Sequence, residues 1–229
     1  MPQVDIICLA NSNKMGGRCV AGLQVDGTGW VRPIAPKTDH GQLYAPHYKL
    51  NDGTAPEVLD VISIDLASHR PQPGQPENWV MGEQKWVLVS RPAGPELYGV
   101  LRSALDAGPS LLGSLEAKMP ASVAARAQAS LALVAPLRTH WFLRRYARPQ
   151  PRVTFELNGQ PYNLPITDPA WTSRLVRRLS GLESGTHPKE AIGISQASNV
   201  LFTVSLSEEY PDTRSCYKLV AGIIVMPDF

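Results

Sequence analysis

The residues best placed to do chemistry fall in two cationic groups. The first lies in Asn11-Ser12-Asn13-Lys14-Met15-Gly16-Gly17-Arg18-Cys19-Val20-Ala21-Gly22. Lys14 and Arg18 flank Gly16-Gly17, so two cations and bare backbone N–H groups can converge on one anion. Asn and Gly tolerate positive φ, which suits a tight reversal between the apolar runs at 4–10 and 20–25. Trp30 and Arg32 follow two residues apart and so share a strand face. Together these residues read as a glycine-lined, aromatic-edged rim for phosphate. The plain alternative is a Gly-rich hairpin with no ligand.

The second group is longer. Between Glu116 and Glu156 the chain has no acidic residue, but it carries Lys118, Arg126, Arg138, Arg144, Arg145, Arg148 and Arg152. Trp141, Phe142, Tyr146 and Phe155 are interleaved with them, and Tyr162 lies across the following hairpin. Binding a single strand needs aromatic faces for bases and a cationic track for phosphates, and this stretch has both residue types. In an alternating strand Trp141, Leu143 and Arg145 share one side while Phe142, Arg144 and Tyr146 share the other. Only one set can be core. The net charge is +2, so any affinity for nucleic acid must come from uneven placement, with acids gathered at Glu183, Glu190, Glu208, Glu209 and Asp212.

Enzymatic patterns are thin. Ser12 and Lys14 could form a Ser-Lys nucleophile pair, but no SxxK or GxSxG context surrounds them. Gly16-Gly17 does not fit a P-loop, whose lysine follows its glycines. His40 and His47 with Asp39 are poorly spaced for a metal, and Cys8, Cys19 and Cys216 form no CxxC pair. The cysteines read as buried free thiols in a reducing cytosol. No cofactor and no metal is expected. Asp168 reads either as a helix N-cap above a buried Trp171 or as an acid at a cleft rim. Asn78, after Pro76-Glu77, fixes a loop between two halves or lines a cleft; both readings stay open.

These residues must be positioned by many short strands. Pro at 21 and Gly at 18 suit strands joined by turns, and 43% hydrophobic against 18% charged residues argues against disorder. Strands are expected at 4–10, 18–25 and 30–34, then at 58–66 and 86–89, with Gln75-Pro76-Glu77-Asn78-Trp79 as punctuation. Leu97, Val100, Leu101 and Leu105 mark a helix in a partly helical connector. Strands follow at 130–135 and 140–146, and a hairpin at 152–157 and 161–166 turns on Asn158-Gly159. A helix over 169–180 places Trp171, Leu175, Val176 and Leu179 opposite Arg174, Arg177 and Arg178. Two last strands span 200–206 and 217–226. No run approaches a membrane span and no signal peptide is visible, so a cytoplasmic location is expected.

Several of these stretches, taken together, resemble the dual-OB-fold domain family. They are Cys8-Leu9-Ala10-Asn11-Ser12 with Lys14 and Gly17-Arg18-Cys19-Val20-Ala21-Gly22, Trp30-Val31-Arg32-Pro33-Ile34, Gln75-Pro76-Glu77-Asn78, Ser130-Leu131-Ala132-Leu133-Val134, Ile166-Thr167-Asp168-Pro169-Ala170-Trp171, and Tyr217-Lys218-Leu219-Val220-Ala221-Gly222-Ile223-Ile224. The resemblance covers nearly the whole chain. It implies tandem OB barrels in a bacterial intracellular protein with a nucleic-acid role, often in defence or conflict settings, and it supplies no catalytic residues.

The expected fold is mainly β with some helix. Two OB-like five-stranded barrels, 1–92 and 127–229, flank a partly helical connector at 93–126, and the second barrel carries the 169–180 helix. The expected function is non-catalytic binding of single-stranded or structured RNA or DNA. Lys14, Arg18, Trp30 and Arg32 would serve at the first barrel, and Arg144, Arg145, Tyr146, Arg148 and Arg152 at the second. The alternatives are a sensor for a nucleotide or small ligand, an adaptor for a protein partner, and a nucleic-acid-processing enzyme.

Overall fold

Five consecutive buried residues, Ile6–Ala10, run through the first strand. An alternating strand on a half-wet sheet would bury only every second one. The reason is that a second layer of protein covers the outer face. In the computed structural model, which describes residues 3–226, the first barrel is built from β1 (Gln3–Lys14), β2 (Gly17–Gln24), β3 (Trp30–Ile34), β4 (Val61–His69) and β5 (Asn78–Met81). β1, β2 and β3 form an antiparallel meander, β3 pairs in parallel with β5, β5 pairs with β4, and β4 returns to β1. The ring is closed. Ile6, Cys8, Val20, Val31, Ile62 and Ile64 fill it, and Trp86 seals it.

Two expectations for this half are corrected. The strand read at 58–66 lies at Val61–His69, and the run treated as punctuation ends in the first two residues of β5, the strand that completes the ring. β5 has only four residues and its ladder to β3 is parallel, so its apolar signal, Trp79-Val80-Met81, was short. The strand read at 86–89 is β6 (Val87–Ser90), which adds to β4 outside the ring. A single helical turn, α1 (Ala45–Tyr48), lies in the β3–β4 loop.

The connector is partly helical, as read: α2 (Pro95–Ser103) buries Leu97 and Leu101, though Val100 is exposed. β7 (Lys118–Pro120) and α3 (Ala121–Ala124) follow, then β8 (Leu131–Val134), β9 (Leu137–Arg144), β10 (Gln150–Leu157) and β11 (Gln160–Pro165). α4 (Pro169–Leu179), β12 (Asn199–Leu206) and β13 (Ser215–Met226) complete the order. Asn158 and Gly159 both take positive φ in the β10–β11 turn, as a type I′ reversal requires. One sheet runs β9-β10-β11 and another β7-β13-β12-β8. They join where β8 continues into β9 and where Ile166 forms a parallel bridge to Val220 on β13. The result is a curled half-barrel packed around Trp141, Phe155, Phe202 and Trp171, with Trp141 and Phe202 in an edge-on contact at 5.7 Å.

The halves are fused through β1 and β13. Ile7 and Leu9 pack with Leu133, Leu201 and Ile224 across the seam. Asn13 N–H donates to Thr167 O at 2.9 Å. At Gly222 a Cβ would lie 2.1 Å from Leu9 O, so only glycine lets the two backbones meet there. Among the described residues no helix is long and apolar enough to cross a membrane, and the cysteines are free. Burial, reinforced by Asp60, pushes the Cys8 thiol up to about 12.

Candidate nucleic-acid interface

The β9–β10 reversal concentrates exposed cations because the strand before it must bury its aromatic residue. Trp141 points into the half-barrel and Leu143 packs against the same core. Phe142, Arg144 and Tyr146 therefore take the outer side, and the chain turns through Arg145-Tyr146-Ala147-Arg148-Pro149 before β10 begins. The Arg144 guanidinium carbon sits 4.7 Å from the Tyr146 ring centroid, and Tyr146 is 54% exposed. Arg145 donates to Leu182 O at 3.3 Å. Arg152, on the outer face of β10, is held by Asn163 Oδ1 and Asn163 O, both at 2.8 Å, and by Gln150 Oε1 at 3.1 Å. Burial first, then the Arg144 charge, holds its pKa below the ordinary value. Among the described residues, none of Arg144, Arg145, Arg148 and Arg152 has a carboxylate partner, whereas Arg138 of the same basic stretch is paired with Glu156 at 2.9 Å. Phe155 and Tyr162 stack on each other in the core and offer no face to a ligand.

The first-barrel group is split by the fold. Met15 and Gly16 make the β1–β2 turn with positive φ. Gly17 is needed for close approach, since a Cβ there would lie 2.6 Å from Leu43 O, and the Arg18 N–H already donates to that carbonyl at 2.7 Å. Lys14 Nζ is paired with Glu208 Oε1 at 2.6 Å across the seam, and Arg18 donates to Asn13 Oδ1 at 2.7 Å. Trp30 and Arg32 do share a face, but that face looks onto the second half. Arg32 is 1% exposed and is not on a rim. Trp30 is half-buried against Ala10, Ala21, Leu131 and Ala221, so it is not an open stacking platform. Alternation shows which residues share a face; it does not show what covers that face.

Arg32 Nη1 donates to Asn78 Oδ1 and Nη2 to Ser205 Oγ, each at 3.3 Å. Asn78 is buried, and its amide donates to Gln72 Oε1 and Gln75 Oε1 at 3.2 Å, fixing the β4–β5 loop beneath the second half. Asp168 caps α4, its Oδ1 accepting from Ala170 N at 2.9 Å and Trp171 N at 3.1 Å. Burial raises its pKa against the pull of those two bonds. Trp171 is buried beneath the cap, its Nε1 donating to Ile223 O, with Arg174 over its ring at 4.6 Å. Ser12 bonds Cys19 O and Lys14 is held by Glu208, so the two do not pair with each other. His40 bonds Glu208 and His47 serves the Tyr44 backbone. Among the described residues no cluster of His, Cys, Asp or Glu is arranged to hold a metal.

Lys218 stands beside Tyr217 on β13. It is fully buried, 5.4 Å from the Tyr162 ring centroid, and desolvation lowers its pKa to about 8. Glu208 and Tyr210, on the β12–β13 loop, were not singled out as site residues, yet both face the seam between the halves. The partners of Glu208, Lys14 and His40, lie 194 and 168 residues away, so no local pattern marks it, whereas Tyr210 packs on nearby Tyr217.

The family model described as the dual OB-containing domain matches residues 4–223. No curated protein matches the chain. Among solved structures, a murine DNA-binding protein bound with double-stranded DNA is similar at 8% identity, over 99% of this chain and 100% of that one, with a TM-score of 0.36. A likeness that loose carries no argument about ligands.

Proposed function

We propose that this chain, which belongs to the dual OB-containing domain family, binds single-stranded or structured nucleic acid and does no chemistry of its own on it. The reading rests on one observation: Arg144 lies over an exposed Tyr146 while Arg145, Arg148 and Arg152 stand beside it without carboxylate partners among the described residues. An arginine without a counter-charge on a hairpin tip suits phosphate, and an exposed ring beside it suits a base. With β8 running on into β9 as one bent strand, the β9–β10 tip corresponds to the loop between the first and second strands of an OB order, where OB folds commonly take oligonucleotides. Lys14 and Arg18 at the β1–β2 turn belong to the same reading as secondary contacts.

Fluorescence anisotropy with labelled RNA and DNA oligonucleotides tests it. The wild type should bind at low salt. The double variant Arg144→Glu, Arg145→Glu should lose binding while keeping its thermal midpoint, because both side chains are exposed. Binding that survives the double charge reversal would refute the assignment of the face.

A further inference from the structure

A cleft of about 420 Å³ opens between the halves, bounded by the β1–β2 turn on one side and the β12–β13 loop on the other. Arg32 lines it at 1% exposure. Its two terminal nitrogens reach only neutral acceptors, each at 3.3 Å, and its Nε has no partner among the described residues. Charge-assisted bonds to guanidinium run about 2.7–2.9 Å, so both contacts are long. Burying a guanidinium without a counter-charge is costly. A cavity beside such a group is where a counter-charge can arrive with a ligand.

The acids of the cleft do not supply that charge. Glu208 spends one carboxylate oxygen on Lys14 at 2.6 Å and the other on His40 at 2.7 Å. Glu209 is paired with Arg214 at 2.8 Å. Tyr210, 47% exposed, stands at the rim with its ring edge-on to Tyr217. The volume is that of a site for a small organic ligand, not for a bare oxyanion. Gln150 lines the same cleft and accepts a hydrogen bond from Arg152, so the arginine hairpin leads to its mouth.

We propose that the cleft binds the phosphate monoester of a nucleotide, with Arg32 taking the phosphate, Lys14 assisting from the rim and Tyr210 beside the base. The phosphate belongs either to a free mononucleotide or to the end of a nucleic-acid strand lying on the arginine hairpin. The site itself does not depend on that hairpin binding a polymer.

Calorimetric titration of the full chain with AMP, UMP and inorganic phosphate tests the site. Anisotropy with short oligonucleotides that differ only in a terminal phosphate, placed at either end, separates the two sources. Binding of a mononucleotide supports the free source, and a preference for the phosphorylated oligonucleotide supports the strand end. Arg32→Gln should weaken either by about tenfold or more, the range expected for losing a bond to a charged group. Glu208→Gln should tighten it by freeing Lys14. Arg144→Glu, Arg145→Glu should leave mononucleotide binding unchanged, so failure of the hairpin and failure of the cleft are told apart. Should Arg32→Gln not fold, Lys14→Met decides, with an expected loss of about threefold. A wild type that neither binds a mononucleotide nor prefers a terminal phosphate overturns the proposal, as does undiminished binding in the deciding variant. Inorganic phosphate binding as tightly as AMP would overturn the nucleotide assignment.

Discussion

Removing charge from the β9–β10 tip while keeping its shape gives a quantitative expectation. Arg144→Gln, Arg145→Gln takes away two of four guanidinium groups that have no carboxylate partner among the described residues. For a single strand, log affinity falls with log salt at about 0.7 per neutralised phosphate, so four contacts give a slope near −3 and two give about −1.4. Between 50 and 200 mM salt the wild type should therefore weaken by about 50-fold and the variant by about 7-fold. Anisotropy titrations at four or five salt concentrations measure both slopes. Both side chains are exposed, so thermal stability should move by less than about 0.5 kcal/mol. An unchanged slope in a folded variant would show that these arginines do not touch phosphate, and would remove the basis for the proposed function.

Other consequences concern stability. Gly222→Ala should cost about 3 kcal/mol in urea unfolding, since its methyl would meet a β1 carbonyl at 2.1 Å; a midpoint like the wild type's would show that the seam is loose. Asp168→Ala should cost about 1 kcal/mol by losing the cap. Asp168→Asn should be neutral or stabilising at pH 7, because it keeps the acceptor and removes a buried charge whose pKa is raised by desolvation; equal losses in both variants would refute this. Lys218 has a folded pKa of about 8 against an ordinary 10.5. In that window the unfolded chain binds more protons, so its contribution to stability rises with pH from about 8 to 10.5 and is lowest below 8. Lys218→Met should lack that rise, which thermal unfolding of both proteins across the window would show.

Local rules settled much of the architecture. Asn-Gly set the β10–β11 turn, Asp168-Pro169 set the start of α4, and alternation put Trp141 and Leu143 on one side and Phe142 and Arg144 on the other, the structure making the first pair core. These depend on backbone preferences and side-chain period within a few residues of chain. β5 escaped notice because a four-residue strand paired in parallel with β3 has little pattern of its own.

The basic, acid-free stretch and its arginine tip were legible because strand period separates Trp141 from Arg144 whatever the tertiary context. The fate of Trp30 and Arg32 was not legible. Their shared face follows from spacing, but its burial follows from β12 and β13, more than a hundred residues away, closing over it. The same closure brings Glu208 to Lys14 and leaves Arg32 buried without a counter-charge beside a cavity. Sequence alone determined which side chains of each strand share a face. Only the packing of one half on the other decided which of those meet water and which meet protein, because burial is set by long-range contact and leaves no mark on local periodicity.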